Sequence, residues 1–346
     1  MSGVADKSQM VSLSSHPHDV VRALAQYRHP DQHRSIFELA VTIIPFIALW
    51  AAAWWALSIS YWLTLAISLL ASAFLVRIFL IQHDCGHGAF FRSRVVNDRI
   101  GRILSVLTLT PYDFWRWDHS AHHAASGNLD KRGNGDIDTM TVKEYSSSNW
   151  YRRLQYRLYR HPIVLFGIGP AYQFLLRYRI PSRINTENKR FWFSVMATNL
   201  TIALVVGTMI YFLGAGPFFL VQLPITIIAS SIGVWLFYVQ HQFEDTYWEG
   251  NGKWNIQSAA FIGSSHYDLP PVLRWLTANI GVHHVHHLAS RIPYYRLQDV
   301  LKDHPELANI RRLTLWESFK CARYRLWDEG QRKMVSFAEA RALQAG

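Results

Sequence analysis

The sequence has little cysteine: Cys85 and Cys321 are the only two among 346 residues, and no Cys-x-x-Cys pair occurs. Two cysteines so far apart cannot build a disulfide framework, and the missing pair excludes the common cysteine sites for zinc and thiol redox exchange. We therefore expect the cysteines to face a reducing compartment and the function to depend on other side chains.

Charged residues are also few, at 17%, whereas half of the residues are hydrophobic. With a mean hydropathy of +0.02, this composition excludes a disordered or fibrous chain. Acidic residues number 24 against 35 basic ones, a formal net charge of +11. Such a surplus is typical of a nucleic-acid binder or of a protein on anionic lipid, and the positions of the charges decide between them.

Long apolar runs are what the sequence has in abundance. Each is close to the roughly 20 residues that cross a bilayer as a helix. The four predicted spans are residues 36–57, 61–81, 191–213 and 217–239. Only three residues separate the first two runs, and three the last two, so each pair forms a helical hairpin. The sequence therefore predicts an all-α integral membrane protein with four transmembrane helices.

We divide the chain into an N-terminal segment, 1–35, a membrane domain, 36–296, and a C-terminal tail, 297–346. Segment 1–35 lacks the apolar run and cleavage site of a secretory signal, so we expect no cleavage. Shorter apolar stretches at 103–109 and 163–176, and a third at 272–282, are expected to lie along the membrane surface, and 126–138 is expected to be a structured loop.

The positions of lysine and arginine predict the orientation. Four lie before residue 36, 17 lie in 82–190 and 13 follow residue 239, whereas the two hairpin turns have none. By the positive-inside rule, both termini and the segment 82–190 face the cytoplasm, where they form a helical cap. The remaining basic residue, Arg77, is expected to snorkel to the same interface. Because the basic residues follow membrane topology and no recognition motif accompanies them, we expect no nucleic-acid partner.

Histidine is concentrated in three clusters on the cap side of the spans. They read His-Asp-Cys-Gly-His from residue 83, His-Ser-Ala-His-His from residue 119 and His-His-Val-His-His from residue 283. Residues i, i+3 and i+4 share one face of a helix, so each cluster can present its imidazoles together. The predicted metal ligands are His83, His87, His119, His122, His123, His283, His286 and His287. His284 lies outside this spacing.

Eight imidazoles are more ligands than one tetrahedral zinc site can take, but they suit two six-coordinate metals with positions open for water or oxygen. We therefore expect two irons. The carboxylate-rich Glu-x-x-His pattern, the His-Glu-x-x-His motif and phosphate loops are all absent. Isolated histidines are expected to be ordinary polar side chains: His16, His18, His29, His33, His161 and His304.

The order and neighbourhood of the clusters resemble the integral-membrane fatty acid desaturases. Within that superfamily the likeness is to bacterial acyl-lipid desaturases, including the delta-12 or omega-6 type. The similar segments are 111–116, 119–128, 135–137 and 238–245. The likeness covers roughly 82–296.

The resemblance implies four spans under a cytoplasmic cap in the bacterial inner membrane. It also implies a histidine-ligated di-iron centre, molecular oxygen as co-substrate and a small external electron donor. The implied reaction introduces a cis double bond into a lipid-linked or carrier-linked acyl chain, and the best single expectation is delta-12, oleoyl to linoleoyl. An acidic ferredoxin or cytochrome suits the cap, because segment 82–190 has a net charge of +8.

A ninth ligand, His241, is expected from its position. It lies two residues beyond the fourth predicted span, as His83 lies two beyond the second. The alternative ninth ligand is His266, which lacks this equivalent position. If His241 is not a ligand, we expect it to hydrogen-bond Glu244 or lipid headgroups. Carboxylates that could orient ligand imidazoles are Asp84, Asp118, Asp136 and Asp268, each of which could equally form a surface salt bridge.

Two other classes of protein also use membrane-associated histidines. Alkane and sterol hydroxylases and carotenoid ketolases have clustered histidines, but their likeness to the segments around the second cluster and residues 240–241 is weaker. A metal transporter would distribute histidines through its spans, and no predicted span has one in its interior.

Overall fold

The computed structural model describes residues 17–133, 135–181 and 189–345. Residues 1–16 of the predicted N-terminal segment, with His16, lie outside the described residues, as do the side chain of His18, residue 134 of the predicted loop and residue 346 of the predicted tail.

The described chain is mostly helical, which confirms the predicted fold class. The helices are α1 (Pro17–Ala23), α2 (Gln32–Ala56), α3 (Tyr61–His87), α4 (Arg94–Leu107), α5 (Tyr112–Ala125), α6 (Val142–Ser147), α7 (Trp150–Tyr159), α8 (Gly169–Leu175), α9 (Lys189–Leu213), α10 (Ala215–His241), α11 (Ile256–Ile262), α12 (Pro271–Leu276), α13 (His283–Leu288), α14 (Leu297–Asp303), α15 (Pro305–Ala308), α16 (Leu315–Cys321) and α17 (Phe337–Ala345). Short 3₁₀ helices form at Leu24–Arg28, Leu129–Lys131, Arg177–Arg179 and Tyr294–Arg296, and a π-helix spans Val164–Ile168.

Four helices, α2, α3, α9 and α10, are long and apolar enough to cross a membrane. They pair as the two predicted hairpins. The second hairpin turns at Gly214, whose φ of +84° lies in the region that only glycine adopts without strain. The first hairpin turns through residues 57–60.

Helices α3 and α10 continue past the predicted ends of their spans, at 81 and 239. Helix α3 runs through Gly86 and ends at Gly88, which adopts a left-handed conformation and whose N–H caps the carbonyls of Asp84 and Cys85. Helix α10 likewise continues to His241. Two of the membrane helices therefore project histidines directly into the cap.

The cap contains the remaining helices and two small sheets. In one sheet β1 (Met140–Thr141) pairs in parallel with β4 (Leu326–Asp328), which pairs antiparallel with β5 (Lys333–Val335). In the other, β2 (His266–Asp268) and β3 (Arg312–Thr314) are parallel. Residues after 296 share the main apolar core with the spans, through Leu297, Val300 and Ile310 among others.

The predicted surface stretches keep exposed apolar side chains on the outside of the cap. Examples are Ile103 in α4, Ile168 beside α8 and Val272 in α12. Large apolar groups at the level where a cap meets its bilayer are typical of membrane-surface helices.

Arg77 does not snorkel to the interface. Its side chain is 1% exposed and forms an ion pair with the equally buried Glu38 of α2. It also donates to Thr42 Oγ1 at 3.0 Å and to Tyr294 Oη at 3.3 Å, while its guanidinium lies 4.1 Å from the centre of the Trp275 ring. Because Tyr294 and Trp275 belong to the cap, this buried pair connects the first hairpin to the cap.

We predict that Arg77→Met destabilises the protein far more than Arg34→Met. Both arginines bond the Glu38 carboxylate, but Arg34 is 52% exposed. Losing Arg77 removes the buried partner of the Glu38 carboxylate and leaves it the pair with the half-exposed Arg34. Breaking a buried pair costs up to about 3–5 kcal/mol, whereas an exposed pair contributes about 0–1 kcal/mol. We expect the apparent Tm in detergent to fall by about 5–10 °C for Arg77→Met. Equal shifts in the two variants would contradict the role given to the buried pair.

Candidate metal centre

Four helices direct histidines into one region of the cap. His83 and His87 are one turn apart at the end of α3, and His241 is the last residue of α10. Helix α5 carries the second cluster on its last two turns, and the short helix α13 begins at His283. The i, i+3 and i+4 spacing gives each helix one histidine face. All nine predicted histidines are brought together.

Five of the nine form one group, whose ligand nitrogens all lie within 4.8 Å of one another. The Nε2 atom of His119 lies 3.1 Å from those of His87 and His123, and His286 Nε2 is 3.2 Å from His123 Nε2. The members are His83, His87, His119, His123 and His286.

The other four form a second group with the same spread of nitrogens. The Nε2 atom of His241 lies 2.9 Å from that of His283 and 3.2 Å from that of His122, and His287 Nε2 is 3.1 Å from His283 Nε2. His241 and His83 therefore emerge from equivalent helix ends but enter different groups.

The cap histidines are held in the form that can bind a metal. Burial lowers the pKa of His119, His123, His283, His286 and His287 well below the ordinary value of 6.5. These imidazoles are neutral near pH 7, and a neutral imidazole offers a lone pair from one ring nitrogen.

Hydrogen bonds to the remote ring nitrogens fix several of the imidazoles. His83 Nδ1 lies 3.1 Å from Asp84 Oδ1, and the other oxygen of that carboxylate accepts a bond from the Tyr294 backbone N–H at 2.7 Å. His122 Nδ1 bonds Asp136, and His241 Nδ1 lies 3.2 Å from the Gly263 carbonyl oxygen. Such contacts orient a ring and direct Nε2 towards the shared focus.

The other candidates lie outside the two groups. Asp268 pairs with Arg312 at 2.6 Å, the surface salt bridge that was its alternative role. His284 Nε2 bonds the Leu307 carbonyl at 2.9 Å, and His266 Nδ1 bonds the Ala308 carbonyl at 2.6 Å. Both histidines therefore hold the chain around α15. Asp118 lines the cavity described next.

A cavity of about 670 Å³ adjoins both groups. His83 and His119 of the first group and His283 of the second line it, and the rest of its wall is mostly apolar. It extends between α3 and α10, as far as Leu75 and Thr226, and α8 lines another side of it. Its volume is typical of pockets for small organic ligands, which occupy about 300–1,000 Å³.

Sequence reasoning missed four parts of this site. The Gly263 carbonyl and the Tyr294 N–H are backbone groups, which no residue pattern identifies. The contribution of α8 to the cavity wall was also missed, because its apolar stretch predicted only a position at the membrane surface. The π-helix Val164–Ile168, a feature common at functional sites, is visible only in the structure.

Comparison with known proteins gives a consistent family. The family model described as fatty acid desaturase matches residues 60–319. A protein of Bacillus subtilis (strain 168) named fatty acid desaturase is 44% identical over 318 residues, covering 92% of this chain and 90% of the relative.

More distant relatives have more specific names. An sn-1 oleoyl-lipid 12-desaturase of Anabaena variabilis is 25% identical, with 81% of this chain and 79% of the relative covered. An sn-1 acyl-lipid omega-3 desaturase (ferredoxin) of Synechocystis is 28% identical, with 64% and 61% covered. The family match spans most of the chain, including all three histidine clusters, so this integral membrane protein belongs to the fatty acid desaturase family of oxidoreductases.

Proposed function

We propose that the protein is an acyl-lipid desaturase of the bacterial inner membrane that introduces a cis double bond with the help of two irons. In this proposal the nine histidines are the iron ligands, and the cap faces the cytoplasm. The observation that carries the proposal is that histidines of both groups line an apolar cavity between membrane helices. A metal centre in the wall of such a cavity is accessible to a hydrocarbon chain.

The residues fit two irons. Each group converges on one focus with only imidazole nitrogens, a ligand type that suits iron. Five and four protein ligands exceed the three that a catalytic zinc usually keeps and still leave positions open in six-coordinate geometry. No cysteine joins either group.

The reaction removes two hydrogens from adjacent methylenes and reduces one O₂ to two waters, with two electrons and two protons from outside. Bound irons would supply the oxidising power that an unactivated C–H bond requires. The chain's own residues orient the metal-binding histidines and enclose the acyl chain. Asp84 and Asp136 hold His83 and His122 in position, and the Trp115 ring stacks on His119 with 4.7 Å between centroids. The apolar wall excludes water from the acyl chain.

We test the ligand set by metal content. The purified protein is expected to contain about two irons per chain. His241→Ala removes one of only four ligands in its group, so it should lose about one iron, whereas His266→Ala and His284→Ala should keep both. Elemental analysis of variants that remain monodisperse in detergent measures this. Full iron in the His241 variant would remove His241 from the ligand set, and one zinc per chain would contradict the di-iron centre.

For the position of the double bond we test delta-12 first. Relatives named oleoyl-lipid 12-desaturase are 25% and 26% identical, but one named omega-3 desaturase is 28% identical. The relatives' names therefore include more than one position of the double bond. Expression in a host that makes no polyunsaturated lipid should yield linoleoyl chains, identified by gas chromatography and mass spectrometry.

The control for that expression experiment is His123→Ala, which should insert in the membrane and produce no new fatty acid. A new double bond in a saturated chain would contradict the delta-12 position but would still support desaturase activity. Hydroxylated chains in place of new double bonds would instead indicate the hydroxylase reaction.

The donor is proposed to be an acidic one-electron carrier such as a ferredoxin or cytochrome. Segment 82–190, with its net charge of +8, supports this choice. Donor-dependent turnover should fall as salt rises from about 0.01 to 0.15 M, because the screening length drops from about 30 to about 8 Å. Turnover driven by a small uncharged reductant should not change. A donor rate insensitive to salt would mean that the charge serves orientation and lipid contact alone.

A further inference from the structure

The segment 163–180 has two distinct faces. One face lines the cavity with Gly169, Pro170, Gln173, Phe174, Arg177 and Tyr178. Beside this face, at the edge of the cavity, large apolar side chains recur every four residues and are all more than half exposed: Ile168, Tyr172, Leu176 and Ile180. Exposed apolar side chains at this spacing form a stripe that suits lipid and not water.

The cavity reaches the protein surface at this segment. Ile168 and Tyr172 line the cavity and are nevertheless 61% and 54% exposed. On the α10 side, Gly233 also lines it and is partly exposed, and a Cβ added there would meet no atom within 4 Å. The rim of this opening carries the apolar stripe, which suits contact with lipid.

One cation lies in the wall of this cavity. Among its described lining residues, Arg177 is the only lysine or arginine, and the two carboxylates, Asp118 and Asp136, are neighbours in sequence of the clustered histidines. In the described part of the chain no carboxylate forms an ion pair with Arg177, whose side chain donates one long bond, 3.4 Å, to the Ile180 carbonyl. Among the described residues, that bond is the only one made by the five N–H donors of the Arg177 side chain.

Arg179, two residues away, is different. It donates to Asn199 Oδ1 at 2.9 Å and to the Leu109 carbonyl, so it joins α9 to the cap. The structural contacts of this region are thus made by Arg179, and Arg177 is left at the cavity wall.

We infer that Arg177 binds the phosphate of a membrane glycerophospholipid whose acyl chain enters the cavity sideways from the bilayer. The inference rests on the proposed desaturase function and names its substrate carrier. A guanidinium matches phosphate with two parallel hydrogen bonds. In this arrangement the acyl chain runs from Arg177 past His119, His83 and His283 and extends towards Thr226. A coenzyme A thioester also carries phosphate, but it approaches from water, which the apolar rim does not favour.

The test compares one acyl chain on three carriers: phosphatidylglycerol, diacylglycerol and coenzyme A. The iron-loaded, full-length protein is assayed in mixed micelles. Wild type is expected to have a KM for phosphatidylglycerol about tenfold below that for diacylglycerol, which lacks phosphate. Arg177→Gln should raise the phosphatidylglycerol KM about tenfold and leave kcat and the diacylglycerol KM within about twofold. Arg177→Lys should recover part of the loss, because lysine keeps the positive charge but cannot form the two parallel hydrogen bonds of a guanidinium.

The matched control is Arg153→Gln, an exposed arginine of α7 that does not line the cavity. Its kinetics should equal those of wild type. An unchanged preference for phosphatidylglycerol in Arg177→Gln, or a preference of wild type for the coenzyme A thioester, would overturn the inference while leaving the desaturase function in place. An absence of turnover on all three carriers by iron-loaded wild type would overturn the proposed function itself.

Discussion

The structure depends on two membrane helices that do not stop at the membrane. Helices α3 and α10 continue as unbroken rods into the cap and end at His87 and His241. A helix satisfies its own backbone hydrogen bonds, so it can cross from lipid into protein without a break. Histidines at these ends are consequently fixed relative to the bilayer, and the cap helices α5 and α13 complete the two groups around them. The cavity between the same two helices is therefore lined by histidines of both groups.

The cap is held on the spans by polar contacts that are buried in apolar surroundings. The Glu38 and Arg77 pair bonds Tyr294, and the backbone N–H of Tyr294 bonds Asp84, which in turn contacts His83. On the second hairpin, buried Arg160 bonds Tyr238 and Gln242 of the α10 end and the Tyr324 carbonyl of the C-terminal region. Buried charges are costly when a partner is lost, so both networks disfavour any shift of the cap relative to the spans. The two histidine groups gain a rigid frame from them.

Much of this protein could be predicted from local patterns. The four spans follow from apolar length alone, because about 20 residues are needed to cross the bilayer wherever they occur. The histidine faces follow from helical spacing, and His241 from its place just beyond a span. Arg77 shows the limit of that reasoning. A lone arginine near the end of a span predicts snorkelling, but the sequence does not reveal that Glu38, 39 residues earlier, lies opposite it.

The sequence by itself determined the spans, the helical class, the three histidine clusters and the family, since each is encoded in contiguous residues or in their spacing. Only the tertiary structure decided the division of nine histidines into five and four, with His122 and His123 in different groups although they are adjacent in the chain. It also decided that Asp136 and not Asp268 contacts a clustered histidine, and that α8 walls a cavity with Arg177 at its side. The physical reason is that these features are relations between side chains on different helices, and their directions depend on how the helices pack.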